Sequence, residues 1–178
     1  HSVNDPLPWL PKAFERLTEI LDRQLPVLGV CFGHQMLCQA LGGRVSRSDN
    51  GYEVGTVKIT ASAAGLEDPL IGPIFGGATL TVNESHGDTV TDLPEQASIL
   101  AYNEHDPHQA LRLAENIWSV QFHPEIGQRE AQVVLNDYRD ALEQKGYDVD
   151  ALIAAARQTP GARSLVRRFI KIVRREHG

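Results

Sequence analysis

The stretch Pro26-Val27-Leu28-Gly29-Val30-Cys31-Phe32-Gly33-His34-Gln35-Met36-Leu37-Cys38-Gln39-Ala40-Leu41-Gly42-Gly43 decides the fold. PVLGV (26–30) is a short apolar run of the kind that forms a buried strand. It bends at once into a segment whose Met36, Leu37, Ala40 and Leu41 make one helical face, and Gly42-Gly43 stops that helix. A strand feeding a helix through a tight turn places a site at the end of an α/β sheet.

Around this unit the rest of the chain falls into order. Leu10, Phe14, Leu17 and Leu21, flanked by Ala13 and Ile20, recur at three and four residues and predict a helix over roughly 9–24. HSVNDPLP at the start reads as a loop. Downstream, YEVGTVKIT (52–60), ATLTVNE (78–84), SILAYNE (97–103), HQALRLA (108–114) and IWSVQF (117–122) read as strands separated by turn residues. From Gly127 the pattern turns helical, near 127–145, 148–158 and 162–176. With no internal repeat, these 178 residues are read as one three-layer α/β domain over 1–178, long enough to bury a sizeable core.

The bulk properties exclude some functions. A hydrophobic share of 42% and a charged share of 22% are those of a soluble globular chain. The formal charge of −6 argues against nucleic acid as the main partner, since phosphate binding wants a surplus of Lys and Arg. Arg163, Arg167, Arg168, Lys171, Arg174 and Arg175 alternate with Leu165, Val166, Phe169, Ile170 and Val173, which predicts the solvated face of an amphipathic helix. Two cysteines in one short stretch give no disulfide framework and suit a reducing, cytoplasmic setting. No apolar run has the length of a membrane span, and no signal peptide opens the chain.

Gly29-Val30-Cys31-Phe32-Gly33 has the form G-x-C-x-G, with cysteine where elbow-type hydrolases carry serine. A nucleophile on a sharp strand-to-helix turn has a strained backbone and crowded neighbours. Glycine on both flanks, Gly29 and Gly33, removes the Cβ atoms that would clash. The turn aims the sulfur at a helix N-terminus, where free N–H groups and the dipole favour thiolate. The N–H of Phe32 then points at the oxygen of a bound carbonyl as one oxyanion donor. A small buried hydrophobe is the alternative account of Cys31, and it is the account adopted for Cys38, which sits mid-helix.

Ile117-Trp118-Ser119-Val120-Gln121-Phe122-His123-Pro124-Glu125 ends a strand with a histidine and, two positions on, a glutamate. Residues i and i+2 of an extended chain project to one side, so Glu125 can reach the His123 ring. A Cys–His pair oriented by a carboxylate is what thiol catalysis requires. Separately, His123 could cap a strand and Glu125 begin a helix, but that does not explain their coincidence with the elbow.

Three segments together, GVCFGHQ (29–35), SHGD (85–88) and QFHPE (121–125), resemble the class I glutamine amidotransferases. The order Cys, His, Glu matches, and CFGHQ, YEVG (52–55) and SHGDTVTDLP (85–94) resemble the GMP-synthase-like, stand-alone branch. The resemblance implies a flavodoxin-like fold with a mixed, mostly parallel central sheet. It implies that Cys31 attacks the carboxamide carbon, that His123 serves as base and acid, and that Glu125 orients His123. Glutamine would be held by Phe32 and Gln35, by Ser85, Gly87 and Asp88, and along Ser119-Val120-Gln121. His86 would be a wall or specificity contact; on residue type alone it reads as structural. No cofactor and no metal are implied, and the partners would be L-glutamine or a γ-glutamyl amide, with a separate ammonia-accepting synthase. The family also carries strands and a second oxyanion N–H upstream of this point, so His1 to Asp5 read as the tail of that loop and the domain as N-terminally incomplete.

Three competing readings remain at this level. A cysteine α/β-hydrolase of the dienelactone hydrolase kind would draw its acid from Asp88, Asp92 or Asp106 and leave Glu125 idle. A γ-glutamyl hydrolase or peptidase keeps the fold and changes the substrate, and a partner-binding pseudoenzyme keeps only the fold. His105-Asp106-Pro107-His108 has two histidines three apart but no further ligand pair at zinc-like spacing, so a turn between strands is the better account.

Overall fold

A computed structural model describes residues 1–176, and its central element is a six-stranded sheet in the order β1-β8-β7-β6-β3-β4. These strands are β1 (Val27–Val30), β3 (Glu53–Ala61), β4 (Thr79–His86), β6 (Ser98–Tyr102), β7 (Ala110–Ala114) and β8 (Ile117–Val120). A second sheet pairs β2 (Arg44–Arg47) with β5 (Asp88–Asp92). The helices are α1 (Leu10–Asp22), α2 (Phe32–Ala40), α3 (Ala63–Glu67), α4 (Gln128–Asp137), α5 (Arg139–Glu143), α6 (Val149–Ala155) and α7 (Pro160–Glu176). Among the described residues no helix is long and apolar enough to cross a membrane.

Strand alternation divides the core into two layers, one on each face of the sheet. Leu28, Val30, Trp118 and Val120 point to one face, where Leu165 and Phe169 of α7 pack with Ile59, Leu80 and Val82. Val27, Ile117, Leu111 and Leu113 point to the other, against Leu17 and Leu21 of α1 and Met36 and Leu37 of α2. The result is the three-layer α/β arrangement the sequence predicts, with the basic residues of α7 left on its solvent side. Trp118 is fully buried, and its indole N–H is satisfied by Asp68 at 3.0 Å, whose other oxygen also accepts the N–H groups of Leu70 and Ile71.

The pairing corrects one expectation. The sheet is mixed, but among the described residues β1–β8 is its only parallel pair; β3–β4, β3–β6, β6–β7 and β7–β8 are antiparallel. Short connections such as Glu115-Asn116 between β7 and β8 permit only antiparallel pairing, whereas a parallel pair needs a long crossover. The chain between β1 and β8 supplies that crossover. Two strands were also absent from the sequence reading. Arg44–Arg47 was too short to register, and Asp88–Asp92 continues directly from β4 after a bend at Gly87, so it looked like a motif loop.

At the elbow the two flanking glycines differ. A Cβ on Gly29 would sit 2.7 Å from the Gly33 carbonyl oxygen and 2.5 Å from Leu37 Cδ1, so the strand can approach α2 only without one. A Cβ on Gly33 would meet nothing within 4 Å, so the expected clash at this flank does not arise. Gly33 lies inside α2 with helical backbone, where alanine is favoured over glycine by about 0.5–1 kcal/mol. Gly29→Ala should therefore lower the thermal midpoint by an amount equivalent to about 1–3 kcal/mol of overpacking. Gly33→Ala should leave it unchanged or raise it. Thermal melts of the two variants check this; equal destabilisation by both would contradict the asymmetry.

Candidate active site

β1 and β8 run side by side in register, Gly29 opposite Ser119 and Val30 opposite Val120. The ladder continues one step further, because the Cys31 N–H donates to the Val120 carbonyl at 2.9 Å. Both strands thus end at the same sheet edge, and whatever follows each must emerge beside the other. After β1 comes Cys31, with φ +48° and ψ −104°, a left-handed backbone that costs a non-glycine residue about 1–3 kcal/mol. It immediately precedes α2, so the thiol stands at the N-terminus of that helix, whose first-turn N–H groups have no partner within the helix.

After β8 the chain leaves the sheet at Gln121, earlier than the sequence suggested, and His123 and Glu125 lie in a turn rather than in a strand. The two still meet. His123 Nδ1 is 2.6 Å from Glu125 Oε1, which leaves Nε2 for a second partner. Burial lowers the His123 pKa, but the acceptors Cys31 and Glu125, together with their charges, stabilise the protonated ring, outweigh burial and push it up to about 10. The Glu125 carboxyl, for its part, is held below its ordinary value: burial raises it, and the bond and charge of His123 more than offset that. His123 is mostly buried while Glu125 is about half exposed, so the imidazole is sheltered and its carboxylate partner reaches solvent.

The residues expected around glutamine divide into distinct settings. Phe32 is partly exposed beside the elbow, its ring 5.8 Å from that of Trp9. Ser85 lines a mainly apolar cavity of about 100 Å³ between the β3–β4 hairpin and α4–α5, with Val54, Ile126, Val134 and Tyr138. Gly87 packs on Tyr52, whose ring a Cβ there would meet at 2.8 Å. The Asp88 carboxylate is 3.0 Å from the exposed guanidinium of Arg47, a contact of charge without aligned hydrogen-bond geometry. The 119–121 segment is wholly buried. Ser119 Oγ is 2.8 Å from His34 Nδ1, Val120 belongs to the core, and the Gln121 amide donates to Cys31 Sγ at 3.5 Å.

Beneath the elbow lies a polar layer that the sequence reading did not identify. Glu53 Oε2 takes a hydrogen bond from Gln109 at 2.7 Å and faces His86 Nε2 at 3.1 Å, while its Oε1 accepts from Asn103 at 2.6 Å. Burial raises the Glu53 pKa, but His86 and Asn103 overcome it and hold the carboxyl below its usual range. His86 Nδ1 lies 2.9 Å from the Asp88 carbonyl oxygen, so the ring is engaged on both sides. Glu84 is the opposite case: burial, then the charges of Glu53, Cys31 and Asp106, drive its pKa well above the ordinary carboxylate value, and neither of its oxygens has a hydrogen-bond partner, His86 Nε2 standing 3.6 Å from Oε2. It reads as a neutral acid. His34 is driven down to about 3 by burial and by His86 and His108, so it too is neutral. Glu53, Glu84 and His86 offer ligand atoms within 4.8 Å of one another, but Glu53 already has its lone pairs occupied by Asn103, Gln109 and His86. Of these three, Glu53 and His86 are thus already engaged by protein groups.

His105 to His108 form the β6–β7 connection, where Asp106 accepts from the His108 N–H at 2.7 Å and from Thr89 Oγ1 at 2.6 Å. Cys38 is fully buried and its thiol is pushed up to about 12 by burial and by Asp106.

Comparison with known proteins matches this architecture to one family. The model of the family described as glutamine amidotransferase class-I matches residues 3–140. A GMP synthase [glutamine-hydrolyzing] of Porphyromonas gingivalis is 38% identical over 136 residues, covering 75% of this chain but 26% of the synthase. Gamma-glutamyl peptidase 4 of Arabidopsis thaliana is 32% identical over 130 residues, covering 70% of this chain and 50% of the peptidase. The chain thus spans between a quarter and a half of the length of these relatives. A crystal structure of a glutamine amidotransferase from Thermotoga maritima superposes with a TM-score of 0.81 at 29% identity, covering 97% of this chain and 74% of that one. The elbow at the β1–β8 edge therefore sits in a fold shared across that family, and the chain belongs to the class-I glutamine amidotransferases.

Proposed function

We propose that the protein hydrolyses the side-chain amide of glutamine, or a closely related γ-glutamyl amide, through Cys31, His123 and Glu125. The observation that carries this reading is the coincidence of a strained cysteine at the head of α2 with an imidazole whose pKa that cysteine raises and whose Nδ1 lies 2.6 Å from a carboxylate oxygen. Cys31 Sγ attacks the amide carbon, and the developing oxyanion is met by the Phe32 N–H at the helix N-terminus. His123 gives its proton to the amide nitrogen as the C–N bond breaks, so ammonia leaves and a glutamyl thioester remains. Water then attacks the thioester carbon, His123 takes a proton from it, and the C–S bond breaks to give glutamate and the free thiol. Glu125 keeps Nδ1–H pinned so that Nε2 faces the sulfur.

A pKa near 10 keeps the His123 proton in place throughout the neutral range, where the leaving nitrogen needs it. The ammonia is passed to a separate synthase, in keeping with the GMP synthase relatives, and the protein works in the cytoplasm. The Arabidopsis gamma-glutamyl peptidase relative favours a second reading, in which the leaving group is the amine of a γ-glutamyl peptide rather than ammonia.

An ammonia-release assay on glutamine should show activity that Cys31→Ala abolishes and His123→Ala lowers by about 10²–10⁴-fold. Glu125→Ala should retain measurable turnover, since it orients rather than transfers. Full activity in Cys31→Ala would sink the reading, and a far higher rate on γ-glutamyl peptides than on glutamine would select the peptidase alternative.

The titration of His123 gives a second check. Its ring resonances in an NMR pH series should show the proton held until about pH 10 in the wild-type protein. Cys31→Ala and Glu125→Gln should each move that midpoint downward, because both partners stabilise the charged ring. A midpoint unaffected by either change would contradict the proposed triad.

A further inference from the structure

Gln121 approaches the nucleophile from below, and the orientation of its amide is fixed by a chain of bonds. Oxygen and nitrogen of a glutamine amide are normally assigned from their surroundings rather than seen. Here the surroundings leave one solution. The Asp88 carbonyl oxygen can only accept, and it is 3.0 Å from the Gln35 amide, so Gln35 must present its NH₂ there. The same NH₂ faces Gln121 at 3.1 Å, so Gln121 must offer its oxygen to Gln35. Its own NH₂ is thereby turned to Cys31 Sγ at 3.5 Å. Flipping either amide would set two donors or two acceptors against each other in a buried layer, since Gln35 and Gln121 are 4% and 0% exposed.

We propose that Gln121 is a positioning residue whose side-chain amide, oriented by Gln35 and the Asp88 carbonyl, holds the Cys31 thiolate ready before substrate arrives. This assigns it a different task from lining the glutamine pocket, and it rests on the reading of Cys31 as the nucleophile. Cys31 faces few other polar groups: the His123 ring, the N-terminus of α2 and, further off, the Glu84 carboxyl. Of these the carboxyl is neutral and the ring is engaged in the proton transfers, so Gln121 and the helix N-terminus are the donors that do not change state through the cycle. A hydrogen bond to the charged form of a group favours that form.

The test is the pH dependence of iodoacetamide alkylation at Cys31, read by peptide mass spectrometry in folded protein. Cys38 does not interfere, being buried with its thiol pushed up to about 12. Gln121→Met keeps the volume and loses the donor, and its alkylation midpoint should rise by about one pH unit over wild type. Gln121→Glu should raise it at least as far. Gln35→Met, which frees the Gln121 amide to turn, should give a smaller rise. A structural role would change melting temperatures without moving these midpoints in the expected order. Should the Gln121 variants fail to fold, the side-chain ¹⁵N–¹H resonances of Gln121 in wild-type protein should shift as Cys31 ionises. A midpoint unchanged in folded Gln121→Met, or Gln121 resonances indifferent to Cys31, would overturn the proposal. Because alkylation reads the sulfur directly, unmoved midpoints in an enzyme that still releases ammonia through Cys31 reject the positioning role alone. Moved midpoints in a protein with no amidase activity reject the catalytic reading instead.

Discussion

Everything at the candidate site depends on the pairing of β1 with β8. It is the only parallel pair of the six-stranded sheet among the described residues, and it joins segments that lie far apart in sequence. Cys31 and Gln121 are 90 positions apart, yet they touch because each immediately follows one of these two strands. A parallel pair has both carboxyl ends at one edge, and that edge is where α/β sheets present their chemistry. The pair itself needs α2 close behind β1, which is why Gly29 cannot carry a side chain. The antiparallel strands β3, β4, β6 and β7 then close the long loop between the two and return the chain to the right place.

The environment beneath that edge sorts chemically identical groups into opposite states. His34 and His123 flank the same elbow, but burial dominates at His34, which is driven down to about 3, while at His123 two hydrogen-bonded partners overcome burial and push it up to about 10. Glu53 and Glu84 divide in the same way. Glu53 is surrounded by N–H groups and stays ionised; Glu84 receives no hydrogen bond, with His86 Nε2 no nearer than 3.6 Å, and stays neutral. Desolvation is common to all four, so the presence or absence of a partner that favours the charged form decides each outcome. A buried layer with this division can surround a thiol without confronting it with unbalanced negative charge.

The sequence made the local parts of this legible. The apolar run ending at Val30, the periodicity of α1 and α2, and the strands at 53–61, 79–86 and 110–114 are short-range patterns, and they formed as read. Cys31, His123 and Glu125 were recognisable because residue type, spacing and order all carry chemistry. What was not legible is long-range. The share of parallel pairing depends on which strands meet, and no local pattern encodes that. Whether Gly33 needs to be glycine depends on what a Cβ would touch, which is tertiary. Ser119 and Val120 follow one another in β8 and therefore face opposite sides of the sheet, Ser119 toward His34 and Val120 toward the core of α7. The strand at 88–92 was hidden because SHGD had already been read as a binding loop. Asn103 and Gln109 carry no motif, and Glu53 stands in YEVG (52–55) with no role attached, since their contribution is a set of hydrogen bonds visible only once β3, β6 and β7 are side by side.

Amides rather than charged groups link the buried layer to the sulfur, and there is a physical reason for that choice. A lysine or arginine at position 121 would stabilise a thiolate more strongly, but it would have to be desolvated in a layer where Glu84 stays neutral and Glu53 is already satisfied. It would also compete with the charged form of His123, because two cations beside one sulfur disfavour each other, and fewer His123 rings would then carry the proton that the leaving nitrogen needs. A neutral amide avoids both penalties, provided its direction is enforced. That enforcement runs through Gln35 to the carbonyl oxygen of Asp88, a backbone group that neither titrates nor rotates independently of the chain. The same oxygen lies against His86 Nδ1, which faces Glu53 on its far side, so the anchor is held by the most fully satisfied part of the layer. The polarity of the donor at Cys31 is therefore set by backbone geometry where β4 passes into β5, and it persists across any pH at which the fold itself survives.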